Sequence, residues 1–480
     1  MQGPSPVVRY TFSTVARALK AWVVLAALVA SHAGCAQPRV PSPSPSPPAY
    51  RLSRTDDRFL EDLSRRSFAF FWEQADIRTG IVRDRARTDG TPASEDAASI
   101  GSIASVGFGL SGLCIAAARG WQPRAIAIDR AEATLRWFAE QMPQEHGWFY
   151  HFVNLETGAR AWQSEVSSID TALLLSGVLT VRSCFGDDAE VVRYADTIYR
   201  RVDFQWMLAG NATLLSHGWK PESGFLAARW DRFCELMILY TLAIGSPSHP
   251  IPAASWYAWS RPVMSFGPYT YVSWSDPLFV HQYSHAWIDF RRLRESGSAA
   301  VDWFQNSVTA TRAHRAFVLS LAPEFPGYSD NIWGITASDS RKGYVAWGGP
   351  PRHLAIDGTV VPAAAAGSLM FAPDIAIPAL REMHRRFGDR IYGRYGFADA
   401  FHPTDGWVNR DVIGIDLGIT LLSAENLRTG RVWSWFLQNP EIAAALTRIE
   451  SVGRPTGSGL KAQGPGQDLR VCSRKVLPEP

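Results

Sequence analysis

An all-α fold, a toroid or large bundle of helices carrying its function on long loops at one face, is what the sequence predicts. Three observations predict it. Apolar residues recur at helical spacing from about Tyr50 to Ile449. The stretches between them are rich in Gly, Pro and Trp and lack the alternation of strands. No second linker interrupts the span, so a single domain is expected over 51–450. The elements follow in order. Leu60, Leu63, Phe70 and Phe71 mark the first helix, and the nearly all-apolar run from Ile100 to Ala118 the second. Ala131 to Met142, Ile169 to Val181, Val191 to Val202, Phe233 to Ile244 and Val308 to Leu321 come next. Ile375 to Phe387, Ile413 to Leu427 and Pro440 to Ile449 complete the series. The Gly-, Pro- and Lys-containing tail over 451–480 reads as disordered.

With 480 residues and 46% apolar content, the chain can bury a large core. Its 19 Trp and 24 Phe exceed ordinary usage, and flat aromatic side chains serve both cores and the apolar faces of sugar rings. The net charge is +3, from 48 basic and 45 acidic residues, with no basic tail or stripe, which sets nucleic-acid binding aside. At the N-terminus, Arg9, Arg17 and Lys20 precede the apolar run Ala21 to Ala30, too short to span a bilayer as a lasting helix. Ala33-Gly34-Cys35 resembles the end of a bacterial lipoprotein box, and the Pro/Ser stretch at 41–48 would tether an anchored domain. Residues 1–35 are therefore expected to be an export signal with Cys35 the lipidated residue, and 36–50 a linker. The protein is then expected to be periplasmic or anchored to the outer membrane. Cleavage after Ala33 or Ala36 to a soluble exported form is the competing reading. Cys114, Cys184, Cys234 and Cys472 could pair, although the first three sit in or beside apolar helices, where a buried thiol is an ordinary small hydrophobe. No CxxC or Cys/His cluster suggests structural zinc.

Several residues could carry chemistry. In SEVSSIDTALL, at 164–174, Ser167 or Ser168 can cap a helix, leaving Glu165 on a loop and Asp170 in the first turn. Both acids then lie at a helix mouth, where Asp170 can simply complement the helix dipole and Glu165 pair with an Arg. Glu235 lies in an otherwise apolar helical stretch. A carboxylate held among hydrophobes suits a general acid, and a helical ion pair with Arg232 is the structural alternative. Asp411 and Asp416 occur in DVIGIDLGITLL, with Asp416 opening an apolar helix. A carboxylate facing Glu235 across a cleft would complete the pair that glycoside hydrolysis requires, whereas Asp416 as a helix cap is the alternative. His281, His285 and Asp289 fall at i, i+4 and i+8 on one helical stripe, but Gln282 replaces the Glu of HExxH. Imidazoles that bond sugar hydroxyls or pack in the core are expected there, with no metal. Trp219, Trp333, Trp347 and Trp407 sit in Gly-containing loops that suit a sugar-binding surface or a core plug.

Ordered segments extend this reading. FFWEQADIRTGIVRDRA, SIASVGFGLSGL, HGWFYHFVNLETG, SEVSSIDTALLL, ELMILYTLAIGSPSHPI and PLFVHQYSHAWIDFR are followed by NIWGITASD, DGTVVPAAAAGSLMFAP, YGRYGFADAF, IGIDLGITLL and ENLRTGRVW. Together, over about residues 65 to 435, they resemble the bacterial glucoamylase-like family that includes the endo-β-1,2-glucanases of glycoside hydrolase family 144. The resemblance implies an (α/α)6 toroid with a broad cleft, no metal or other cofactor, and an inverting mechanism. By motif position Glu235 takes the acid role and Asp416 the base role. Glu165, Asp170, Asp84, Arg85, His281, Gln282, His285, Trp333, Asp339 and Trp407 match family segments and are expected to line the cleft.

The expected activity is cleavage of β-1,2-glucan to sophoro-oligosaccharides by a monomer acting on polysaccharide or oligosaccharide. A related glucan hydrolase or transglycosylase of another linkage is the rival within enzymes. A glycan-binding lipoprotein without catalysis, or a structural envelope protein, is the rival outside them.

Overall fold

The computed structural model describes residues 50–453 apart from positions 275, 276, 298 and 354. The expected export signal, the lipid site at Cys35, all of the Pro/Ser linker but Tyr50, Cys472 and the tail from 454 onward lie outside the described residues.

Fourteen helices carry the chain among the described residues: α1 (Arg54–Glu73), α2 (Glu95–Ala98), α3 (Ile103–Arg119), α4 (Arg124–Glu140), α5 (Ser168–Cys184), α6 (Ala189–Arg201) and α7 (Met237–Gly245), then α8 (Tyr283–Trp287), α9 (Trp303–Ser320), α10 (Pro362–Ala366), α11 (Pro373–Phe387), α12 (Gly414–Thr429), α13 (Arg431–Leu437) and α14 (Pro440–Gly453). Their starts follow local chemistry. Ser53, Ser102, Ser167 and Asp188 each accept a first-turn N–H of α1, α3, α5 and α6. Gly120 ends α3 in the left-handed conformation at φ 70°.

Burial sorts the helices. α3, α5, α7 and α12 bury residues all round. α6 buries only Val191, Tyr194, Ala195, Ile198 and Tyr199, one face at helical spacing, and α4, α11 and α14 behave likewise. Apolar helices thus line the interior and amphipathic ones cover them: α4 packs on α3, α6 on α5, α14 on α7 and α11 on α10. Among the inner helices α3 packs on α5 and α12, α5 on α7, α7 on α8, and both α8 and α10 on α12. At the α3–α5 crossing, a Cβ on Gly177 would come within 2.1 Å of the Gly107 carbonyl oxygen, so the two backbones touch.

The structure departs from the sequence expectation in three places. The loops contain short antiparallel ribbons of two to four residues per strand, too short to show alternation. Arg85–Arg87 pairs with Asp411–Ile413, Ile100–Ser102 with Phe152–Asn154, Val166–Ser167 with Gly218–Lys220, and Ala337–Ser340 with Gly343–Ala346. Second, α7 begins at Met237, so Glu235 stands in the entry to the helix and not within it. Third, the expected His281–His285–Asp289 stripe is broken. A 3-10 turn at Leu278–His281, the short α8 and a second 3-10 turn at Phe290–Arg292 replace a continuous helix, and Asp289 caps the last of these. None of Cys114, Cys184 and Cys234 is in a disulfide.

Candidate active site

The ribbon formed by Arg85–Arg87 and Asp411–Ile413 leads directly into α12 and sets Asp416 in that helix's first turn. Gly414 N–H donates to the Asp84 carbonyl at 2.8 Å, locking the helix start to the neighbouring strand. From this strand Arg85 reaches two carboxylates, donating through Nε to Asp84 at 3.0 Å and through Nη1 to Asp339 at 2.9 Å. Asn409 Nδ2 donates to the same Asp339 oxygen at 3.0 Å and to Asp399 Oδ2 at 3.2 Å, while Asp339 N–H donates to Asp399 Oδ2 at 2.9 Å. Asp399 and Asp416 then line one cavity of about 20 Å³, room for a single water, with Thr420 and apolar residues around them. Asp84, Arg85, Asp339 and Asp416, four of the residues singled out by sequence, therefore belong to one network. Asp399 and Asn409 join it unannounced.

Electrostatics follow from burial. Asp416 is 6% exposed. Desolvation pushes its carboxyl up to about 7 against a hydrogen bond from Asp399 that favours ionisation, while Asp339 and Asp84 add to the rise and Arg85 opposes it. Burial and the charges of Asp416 and Asp339 hold Asp399 well above the usual carboxylate range. Burial works against the charge on Arg85, but Asp84 and Asp339 outweigh it and keep the guanidinium protonated.

Tyr283 connects this network to the other candidates. Burial raises its hydroxyl well above 10, and the nearby Asp416, Tyr344, Glu235 and Asp170 raise it further. Carboxylates from three separate elements, the α12 first turn, the α7 entry and the α5 first turn, thus act on one phenol. Glu235 is 7% exposed, and its backbone carbonyl accepts from Ser284 Oγ at 2.8 Å, which fixes the entry turn against α8. Its sequence neighbour Arg232 lies over the Trp274 ring at 4.1 Å. Asp170 is capped by Ser167, whose Oγ accepts the Asp170 N–H at 3.2 Å. His151, which sequence reading did not single out, sits between Glu165 and Asp170, with Nδ1 3.2 Å from the one and Nε2 3.4 Å from the other. Their ligand atoms lie within 4.8 Å of one another. The contacts use opposite edges of the ring, so the arrangement clamps an imidazole between two acids. A single cation would take only one of the two nitrogens.

Other expected cleft residues turn out to be core. His285 is fully buried among Phe290, Phe304 and Phe371 with Nε2 at 3.0 Å from Ser307 Oγ, and burial holds it neutral. His281 packs on Phe233 and lies 3.1 Å from Ser273 Oγ, its imidazole pushed down to about 3 by burial and His314. Gln282 donates to the Ala364 carbonyl and Ser368 Oγ, both at 2.9 Å. These three are held by buried protein partners, where sugar contacts were expected of them. Trp333 and Trp347 are buried to within 1% and fill the core under the Ala337–Ala346 hairpin. Trp219 and Trp407 remain half-buried, with Arg341 over the Trp407 ring at 5.8 Å. Asp411 is taken up by Arg87 at 2.7 Å. A groove of about 580 Å³ between α1 and α11, lined by Phe59, Arg381 and His384 among others, contains none of these acids.

A family model named Glycoamylase, described as "Putative glucoamylase", matches residues 227–440. The chain is 25% identical over 438 residues to the exo β-1,2-glucooligosaccharide sophorohydrolase (non-reducing end) of Parabacteroides distasonis. That match covers 83% of this chain and 58% of the relative, so the chain spans less than two thirds of that protein's length. Its fold is similar to the endo-β-1,2-glucanase from Chitinophaga pinensis solved with sophorotriose and glucose, with a TM-score of 0.76 at 26% identity over 83% of this chain and 99% of that one. A β-1,2-glucanase structure from Parabacteroides distasonis shares the fold at TM-score 0.75 and 23% identity, covering 84% of this chain and 61% of that one. These matches bear out the glucoamylase-like resemblance carried by the motifs.

Proposed function

We propose that this chain is a glucoamylase-like glycoside hydrolase that cleaves β-1,2-glucan into short sophoro-oligosaccharides, by a single displacement with inversion. The observation that carries the reading is Asp416, buried in the first turn of α12 and joined with Asp399 to the Asp84–Arg85–Asp339 network, with the buried Glu235 among the acids that act on the same Tyr283 phenol. Glu235 donates the proton to the departing glycosidic oxygen, and Asp416 takes a proton from the water that attacks the anomeric carbon from the opposite face. A carboxyl poised at about 7 is an effective base near neutral pH, because it is ionised for part of the population yet still proton-hungry. Asp84, Arg85 and Asp339 hold the base side of the cleft. Glu165, Asp170 and Trp407 line the remainder, and no metal or other cofactor takes part. The inner and outer helix pairs support a closed (α/α)6 toroid as the frame, and the N-terminal segment supports export with a lipid on Cys35.

The two named relatives differ in mode, one an exo-acting sophorohydrolase and the other an endo-glucanase, and we propose endo action. Products from linear β-1,2-glucan, beside starch and β-1,3-glucan controls, test linkage and mode together. A ladder of short oligosaccharides from the β-1,2 polymer alone is expected. Sophorose released alone would give exo action, and no product from any polymer would overturn the hydrolase reading. Glu235→Gln is expected to lose several orders of magnitude on glucan but far less on an aryl sophoroside, whose phenolate leaves without a proton. Equal losses on both substrates would remove the acid role from Glu235.

A further inference from the structure

Asp399 is not among the residues that the sequence motifs single out. It lies between the Tyr392–Phe397 turn and the Trp407 loop, its N–H donating to the Asp411 carbonyl at 3.0 Å, and its side chain is 3% exposed. Both protein donors that reach it, Asp339 N–H and Asn409 Nδ2, go to Oδ2. Oδ1 is buried and meets no N–H or O–H donor of the protein, and the Asp399 side chain shares its cavity and a side-chain hydrogen bond with the Asp416 carboxyl. Two carboxylates held close together away from bulk water repel unless a proton lies between them. Arg85, the cation among the groups facing Asp416, is engaged with Asp84 and Asp339, so it does not neutralise the pair.

We propose that Asp399 is a positioning residue: at neutral pH it keeps its proton on Oδ1 and donates it in a hydrogen bond to the Asp416 carboxylate, orienting the base. The proton belongs on Asp399 because Asp416 lies in the first turn of α12, where free N–H groups and the helix dipole favour an anion. The groups facing the pair, namely Asp339, Asp84, Arg85 and the neutral Tyr283, carry one net negative charge, which opposes ionisation of both carboxyls at once and favours one proton held between them. The elevated proton affinity of both acids agrees with this, and the Asp399 hydrogen bond is the larger of the influences that lower Asp416, ahead of Arg85. The inference rests on Asp416 being the base of the proposed hydrolysis.

Two variants separate this role from a structural one. Asp399→Asn preserves both sides of the arrangement, since its carbonyl can accept from Asp339 and Asn409 while its amide donates to Asp416. Asp399→Leu removes the donor. The readouts are the acid-limb midpoint of kcat against pH and the titration of Asp416 by ¹³C-carboxyl NMR on aspartate-labelled protein, assigned by difference from Asp416→Asn. Asp399→Asn is expected to leave the midpoint within a few tenths of a unit, and Asp399→Leu to raise it by about one unit. A fall of a unit or more in Asp399→Asn would mean that Asp399 carried a charge, and would overturn the proposal. So would an unmoved midpoint in Asp399→Leu. If the leucine variant fails to fold, the asparagine variant decides by itself. The NMR titration reports even if no glucan is cut, so loss of the hydrolase reading and loss of this inference are distinguishable.

Discussion

Asp170 and Asp416 occupy equivalent places, the first turn of an inner helix entered from a short strand. The position supplies N–H dipoles to a carboxylate, while burial withholds water. For Asp416 the burial wins, and its folded-state affinity for a proton rises to about 7. A group whose pKa is raised on folding stabilises the protein fully below its unfolded value and loses that contribution as pH rises through the folded value. Asp416→Asn is therefore expected to unfold at a higher temperature than wild type at pH 8, with the advantage shrinking between pH 7 and 4. A melting-temperature difference that stays constant with pH would show that Asp416 is not buried against its charge. Glu235 and Asp416 were legible beforehand because each is an acid set in apolar sequence. Asp399 and Tyr283 were not, since an Asp between alanines or a Tyr beside histidines carries no local contradiction until its neighbours are known.

At the scale of elements, hydrophobic spacing located most of the long helices, including α5, α6, α9, α11 and α12, to within a few residues. It failed where tertiary contacts override spacing. Residues 281–289 keep a helical stripe but turn through two 3-10 segments, because His281, Gln282 and His285 each bond to a different neighbour. The α3–α5 crossing depends on two glycines that sequence reading passed over. Gly177→Ala adds helix propensity worth about 1 kcal/mol, yet its methyl would meet the Gly107 carbonyl at 2.1 Å with no flexible side chain to give way. A clearly lower melting temperature is expected. An unchanged or higher one would show that the inner helices can slide apart at that point.

For the molecule as a whole, the buried histidines contribute to how it responds to acid. His281 is lowered to about 3 and His314 to about 4, both mainly by burial, and His285 is lowered as well. Groups with depressed folded pKa values contribute stability above their unfolded value near 6.5 and lose it as pH falls toward the folded one. His314 bridges the Gly349 carbonyl and the Ile335 N–H, a job an amide can do. His314→Gln is therefore expected to be less stable than wild type at pH 7.5, with the deficit narrowing from pH 6.5 to 4. A deficit that widens with acid would refute the neutral, buried assignment.

The sequence by itself determined the helical frame, the family resemblance and the two acids proposed for catalysis, because these reside in local spacing and in charges that contradict their surroundings. Only the tertiary structure decided which of the remaining matched residues share one site. It joined Asp84, Arg85 and Asp339 to Asp416, and it sent His285 and Trp333 into the core. It also brought in Asp399, Asn409, Tyr283 and His151. The physical reason is that a carboxylate's proton affinity and a ring's exposure are set by groups distant in the chain, and the packing of the inner helices and their loop ribbons alone determines which groups those are.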